Sequence, residues 1–207
     1  MNIFIISPHL GNDWKKIQRE FIEKNTKDKY KYYVYNVPVT QNHLKSLHVC
    51  VEVIKREKPI TGDLIVEMDS DAFPIRDNWV SLIKKYLFEE RHEFVAVQRI
   101  ESPNRFTRQI PHPCFCAWRY GTKIDFKWVA RNPFILNWET RNWKKLHRTN
   151  KVNLHRQLFG LYGDRDSIVF HYGAGSRDVS RQTFFKDGLK YKKRFWENPN
   201  KFIENLI

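Results

Sequence analysis

Cysteine is scarce in this chain, long apolar runs are absent, and acidic residues are thin in one half. Three cysteines, an odd number, offer no disulfide framework. A reducing, cytoplasmic setting is expected from this. Cys114 and Cys116 stand beside His112, but C-x-C lacks the C-x-x-C spacing of common zinc sites. They read instead as small apolar residues on one face of a strand. A transmembrane helix needs about 20 consecutive apolar residues, and no such run exists. The opening Met1-Asn2-Ile3-Phe4-Ile5-Ile6 lacks the basic leader of a secretory signal and reads as a first buried strand. No internal repeat or low-complexity tract is present.

The shortage of acids is local. Residues 1–103 hold 16 Lys+Arg against 15 Asp+Glu, whereas residues 104–207 hold 21 against 8, so the balance goes from +1 to +13. Five of the seven tryptophans, Trp118, Trp128, Trp138, Trp143 and Trp196, also fall in the basic half. Basic groups interleaved with aromatics suit a polyanion with stackable bases. An anionic membrane surface is a second partner for such charge, and a basic surface over an ordinary aromatic core is a third reading.

At 207 residues the chain fits a single domain. The first half alternates strands and helices. Strands are expected at Ile3–Ile6, Tyr32–Val37, Leu64–Met68 and Phe94–Val97. Helices are expected around Trp14, Ile17, Phe21 and Ile22, around Leu44, Leu47, Val51 and Ile54, and around Trp79, Leu82, Ile83, Tyr86 and Leu87. Such alternation predicts an α/β fold with a mostly parallel sheet and helices on both faces. In the less regular second half, strands are expected at Cys114–Trp118 and Ser167–Tyr172, and helices at Trp138–His147 and Leu154–Leu161.

The stretch Asp63-Leu64-Ile65-Val66-Glu67-Met68-Asp69-Ser70-Asp71-Ala72-Phe73-Pro74 carries the strongest chemical signal. An apolar strand runs into Asp-Ser-Asp, and in open α/β sheets ligands bind beyond the carboxyl ends of the strands. Side chains at i and i+2 of an extended segment point the same way. Asp69 and Asp71 are therefore placed to offer two hard oxygen ligands to one divalent cation, which would bridge them to substrate phosphates. Acidic residues at strand ends are also common without any metal.

These residues resemble the D-x-D signature of nucleotide-sugar glycosyltransferases with the GT-A fold. Two later segments fit the same resemblance. His112-Pro113-Cys114-Phe115-Cys116-Ala117-Trp118-Arg119 is similar to a His-Pro-led strand found beyond the D-x-D. Val169-Phe170-His171-Tyr172-Gly173-Ala174-Gly175-Ser176-Arg177 is similar to a late histidine segment. The resemblance implies a GT-A-like single domain, with a donor half at 1–103 and an acceptor half at 104–207. It implies that Asp69, with Ser70, faces the donor ribose, that Asp71 faces the metal and that His171 completes the metal's ligands. A histidine beside carboxylates suits Mn²⁺ somewhat better than Mg²⁺. The co-substrate would be a nucleoside-diphosphate sugar, with UDP favoured. Gly173 and Gly175 would bring backbone N–H groups to the diphosphate, and Arg177 would add a bidentate contact. In this fold the donor base and ribose meet the end of the first strand, which nominates Ser7, Pro8 and His9, with Asp13 beyond. Lys45 is a further donor contact.

An inverting transfer needs a general base on the acceptor hydroxyl. Candidates are Glu139, Asp164 and Asp166; Glu139, set among aromatics, is preferred, and Asp166 precedes the histidine segment. A retaining enzyme needs none of them. The basic half points to a polyanionic acceptor; the chain's likeness to transferases of the phage DNA glycosyltransferase kind implies DNA with a hydroxymethylated pyrimidine, its base flipped or exposed. A lipid-linked or lipopolysaccharide precursor is the alternative acceptor. A nucleic-acid-binding or metal-nuclease domain is the alternative class, although a two-metal site would need more carboxylates.

Overall fold

A computed structural model describes residues 1–9, 12–36, 51–98, 111–124, 157–159, 167–172 and 188–207. Its centre is a five-stranded sheet of β1 (Ile3–His9), β2 (Tyr30–Asn36), β3 (Leu64–Met68), β5 (Phe94–Gln98) and β6 (Pro111–Arg119), in the order β2-β1-β3-β6-β5. The pairs β1–β2 and β1–β3 are parallel. β6 is antiparallel to both β3 and β5, so four of the five strands run one way and β6 alone is reversed. The fold is thus α/β with a mostly parallel central sheet, as the alternating first half predicts.

Both faces of the sheet are covered, which is why β1 and β3 are apolar at nearly every position. Ile3, Ile5, Leu64, Val66 and Met68 face one cluster with Ile22 of α1 (Asn12–Asn25) and Trp79, Val80 and Ile83 of a later helix (Trp79–Lys84). Phe4, Ile6 and Ile65 face the other, against Val53 and Ile54 of the helical residues 51–57. The thiols of Cys114 and Cys116 are both buried, but they divide between these two clusters. The expectation that they share one strand face is corrected here.

A second sheet, in the order β4-β8-β7, is built from β4 (Ala72–Pro74), β7 (Gln157–Phe159) and β8 (Val169–His171). β4 is antiparallel to β8, and β7 is parallel to it. The strand at Gln157–Phe159 falls within the stretch where apolar spacing predicts a helix, Leu154–Leu161. Three apolar or amide residues pairing with a buried strand override that local preference. The expected helix Trp138–His147 lies outside the described residues.

The chain ends in two short helices, Gly188–Glu197 and Pro199–Glu204. Phe195, Phe202 and Ile203 pack against Trp14, Ile17 and Phe21 of α1 and against Phe73, Ile75, Phe170 and Tyr172. This third cluster clamps the small sheet onto α1. Among the described residues, no helix is long and apolar enough to cross a membrane.

Candidate metal centre

The centre forms where β3 ends and the small sheet begins. After Met68 the chain turns rather than staying extended: the Ala72 amide donates to the Asp69 carbonyl at 3.0 Å. Asp69 and Asp71 are therefore brought together by a tight turn, not by the i, i+2 geometry of a strand. The turn then feeds β4, whose Ala72 lies opposite His171 in the antiparallel register. The Tyr172 amide donates to the Asp71 carbonyl at 2.9 Å, extending that pairing by one step. Strand register thus sets the late histidine beside the D-x-D carboxylates.

The result is a convergent donor set. One ligand atom from each of Asp69, Asp71 and His171 lies within 4.8 Å of the others. The Nε2 of His171 is 3.5 Å from Oδ1 of Asp71. That gap is wider than the usual ~2.7–3.2 Å hydrogen bond and suits two atoms facing one shared cation. Two carboxylate oxygens and an imidazole nitrogen fit Mn²⁺ or Mg²⁺ in kind, and the nitrogen favours Mn²⁺. Asp71 and His171 are buried at 6% and 4% exposure, while Asp69 is partly open to solvent. A cation here would be held by Asp71 and His171 from buried positions, with Asp69 on the more open side.

The turn's main chain is fastened from several directions. Ser7 on β1 is fully buried, and its hydroxyl donates to the Met68 carbonyl at 2.8 Å. The Asp69 amide donates to the Cys114 carbonyl of β6 at 2.9 Å. Gln18 of α1 donates through Nε2 to the carbonyls of Asp69, at 2.8 Å, and Ala72, at 2.6 Å. Asn25, two helical turns along, donates to the Pro74 carbonyl at 2.9 Å. Sequence reasoning missed Gln18 and Asn25, although a signal existed. They lie seven residues apart within the span that places Trp14, Ile17, Phe21 and Ile22 in the core, and polar groups on a buried helix face need partners.

Tyr172, next to His171, is buried against Trp14, with ring centroids 4.8 Å apart. Burial pushes its phenol up to about 12; a hydrogen bond from the Trp196 indole works against the rise, and the nearby Asp71 charge adds to it. The phenol therefore stays protonated at neutral pH. Trp196 itself is 42% exposed, edge-on to Trp14 at 4.9 Å.

The remaining nominated residues divide as follows. Pro8 is half-buried at the end of β1, and His9 closes that strand, its side chain lying outside the described residues. Asp13 is exposed in the first turn of α1. Ser70 is buried within the turn. Lys45, Glu139, Asp164, Asp166, Gly173, Gly175 and Arg177 lie outside the described residues.

No protein-family model matches the chain, and neither does any curated protein sequence. Among solved structures, it is similar to a glycosyltransferase involved in the glycosylation of the major capsid of PBCV-1. The TM-score is 0.58 at 9% identity, covering 95% of this chain and 100% of that one. A197 from STIV also matches, at TM-score 0.38 and 13% identity over 58% of this chain and 66% of that one, too distant to bear on the fold. At 9% identity the first likeness is one of architecture, and it covers both chains nearly end to end: the protein has a GT-A-like α/β fold.

Proposed function

We propose that the protein is a metal-dependent glycosyltransferase that moves a sugar, a hexose being favoured, from a nucleoside-diphosphate sugar to a hydroxyl acceptor. The observation that carries this reading is the convergence of Asp69, Asp71 and His171 at the carboxyl end of β3, in a fold shared with a glycosyltransferase. UDP is the favoured nucleotide.

Breaking the bond between the anomeric carbon and the diphosphate leaves negative charge on the leaving group. A divalent ion held there supplies Lewis-acid stabilisation of that charge. Asp71 and His171, buried and fixed by strand register, would hold the ion. Asp69, more open, would serve both ion and donor ribose. Gly173, Gly175 and Arg177, in the stretch that follows Tyr172 in sequence, are proposed to add backbone N–H groups and a guanidinium to the same phosphates. Pro8, His9, Asp13 and Lys45 are proposed on the nucleoside side. For an inverting transfer, Glu139 is proposed as the base that takes the acceptor proton, with Asp166 as the alternative.

The acceptor is proposed to be polyanionic, with DNA bearing a hydroxymethylated pyrimidine favoured, because the excess positive charge lies in residues 104–207. The PBCV-1 neighbour is involved in glycosylating a capsid, so a protein acceptor belongs in the same assay.

The test is thermal stability with a panel of nucleoside diphosphates, each with and without Mn²⁺. A ligand that binds only the folded state raises the melting temperature. A Mn²⁺-dependent rise with one diphosphate, absent in Asp71→Ala, supports the reading and identifies the nucleotide. No rise with any diphosphate overturns it. Sugar transfer to modified DNA, to capsid-like protein and to lipid-linked precursors then separates the acceptors.

A further inference from the structure

We propose that Gln18, oriented by Tyr32, is a positioning residue for the metal centre: it sets the shape of the D-x-D turn and through it the affinity for the cation. The inference rests on the metal-dependent reading above and adds to it a residue from a different element. Gln18 is fully buried on α1. Its Nε2 donates to the carbonyls of Asp69 and Ala72, the two ends of the turn that carries both carboxylates. Its Oε1 accepts from the Tyr32 hydroxyl at 2.5 Å.

The chemistry of a primary amide makes this arrangement directional. The NH₂ end has two donors and the oxygen end has none. Two carbonyl acceptors at one end and a hydroxyl at the other leave a single satisfactory orientation of the amide. The Tyr32 phenol is held well above its usual range, chiefly by burial, so it remains a donor throughout the working pH range. The Ala72 amide meets the same Asp69 carbonyl that Gln18 meets. The peptide between Asp69 and Ser70 is thereby fixed from two sides. Residues one shell out from metal ligands commonly change metal affinity by about 10- to 100-fold when removed, because they orient the ligands. Here a single amide spans the whole turn.

A purely structural role would lower stability without altering affinity, and the experiment separates the two. Mn²⁺ binding is titrated by electron paramagnetic resonance, well below each melting temperature, in wild type, Gln18→Leu, Tyr32→Phe, Asp71→Ala and Ile83→Ala. Ile83 is a fully buried core residue of the helix Trp79–Lys84 and serves as the destabilised control. The expected result is a dissociation constant raised about tenfold in Gln18→Leu and by a smaller factor in Tyr32→Phe, with Ile83→Ala unchanged. Tyr32→Phe removes one hydroxyl at a half-buried site and keeps the inference testable if Gln18→Leu does not fold. Wild-type affinity in both Gln18→Leu and Tyr32→Phe, with binding lost in Asp71→Ala, overturns the role of Gln18 and leaves the metal centre standing. An equal loss in Ile83→Ala overturns it too, by making the effect one of general destabilisation. No Mn²⁺ binding by wild type overturns the metal reading, and this inference with it.

Discussion

His171 and Asp71 face each other across 3.5 Å, Nε2 to Oδ1, because Ala72 is the register partner of His171 in an antiparallel pair. Side chains in a strand alternate with a period of two, so a one-residue slip of β8 would turn His171 to the opposite face. The centre is therefore as well defined as the strand pairing that builds it. His171→Ala and Asp71→Ala are each expected to weaken Mn²⁺ binding by about 100-fold or more, at least the upper end of losses caused by outer-shell partners. Calorimetric titration of the folded variants checks this. A loss below tenfold in both would mean that these residues are not ligands.

The pairing of β4 with β8 is in turn held by the aromatic cluster at the chain's end. Phe195 is fully buried; it stacks on Trp14 and Phe170 with ring centroids 5.7 Å apart and meets Tyr172 at a tilt, 4.9 Å away. Phe195→Ala removes a large core side chain and is expected to cost about 3–5 kcal/mol. Urea unfolding followed by tryptophan fluorescence measures it, since Trp14 and Trp196 report on this cluster directly. A cost under about 1 kcal/mol would show that the last two helices are not part of the cooperative fold.

Much of this architecture is legible in the chain itself. Ile3–Ile6, Leu64–Met68 and Phe94–Val97 are apolar runs that only a sheet covered on both faces would need, and the D-x-D follows one of them. The reversal of β6 is not legible, because a strand buried on both faces has the same composition in either direction. β4 is three residues long, too short for periodicity, so the turn between Met68 and Ala72 is invisible until its partner β8 is known. Gln157–Phe159 has helix-like spacing and becomes a strand through pairing with β8. Asp69, Asp71 and His171, which the fold brings together, were readable as a candidate set, but Gln18 was not. Its role depends on which carbonyls α1 meets, and that is a property of packing.

The far pole of β3, opposite the candidate metal centre, depends on two glycines. Gly62 and Gly121 have φ of +95° and +98°, a region that side chains rarely adopt. A Cβ at Gly62 would meet nothing within 4 Å, so Gly62→Ala is expected to cost only backbone strain, about 1–2 kcal/mol. A Cβ at Gly121 would lie 3.3 Å from Thr61 Cγ2, so Gly121→Ala adds a contact to the same strain and is expected to cost more. Melting temperatures of the two variants give the order, and the reverse order would contradict the geometry.

At that same pole, Asp63 ties the start of the chain to the entry of β3. Its carboxylate is buried and accepts from the amides of Asn2, at 2.7 Å, and Ile60, at 3.0 Å. Burial alone would raise its pKa. The Asn2 and Ile60 amides, the Asn2 side chain and the terminal ammonium together outweigh burial and hold the carboxyl below its usual value. A carboxyl depressed in the folded state binds its proton more readily when unfolded. Its stabilisation is therefore complete above the unfolded value of about 3.9 and is lost as pH falls through the lower folded value. Asp63→Asn cannot ionise, and its amide would turn an NH₂ toward one of the two donors. The variant is expected to be less stable at neutral pH by about 2 kcal/mol, with the difference from wild type shrinking as pH drops below about 4. Urea unfolding of both proteins between pH 7 and pH 2 tests this. A difference that stays constant across the range would mean that the Asp63 charge contributes nothing and that only the shape of the side chain matters.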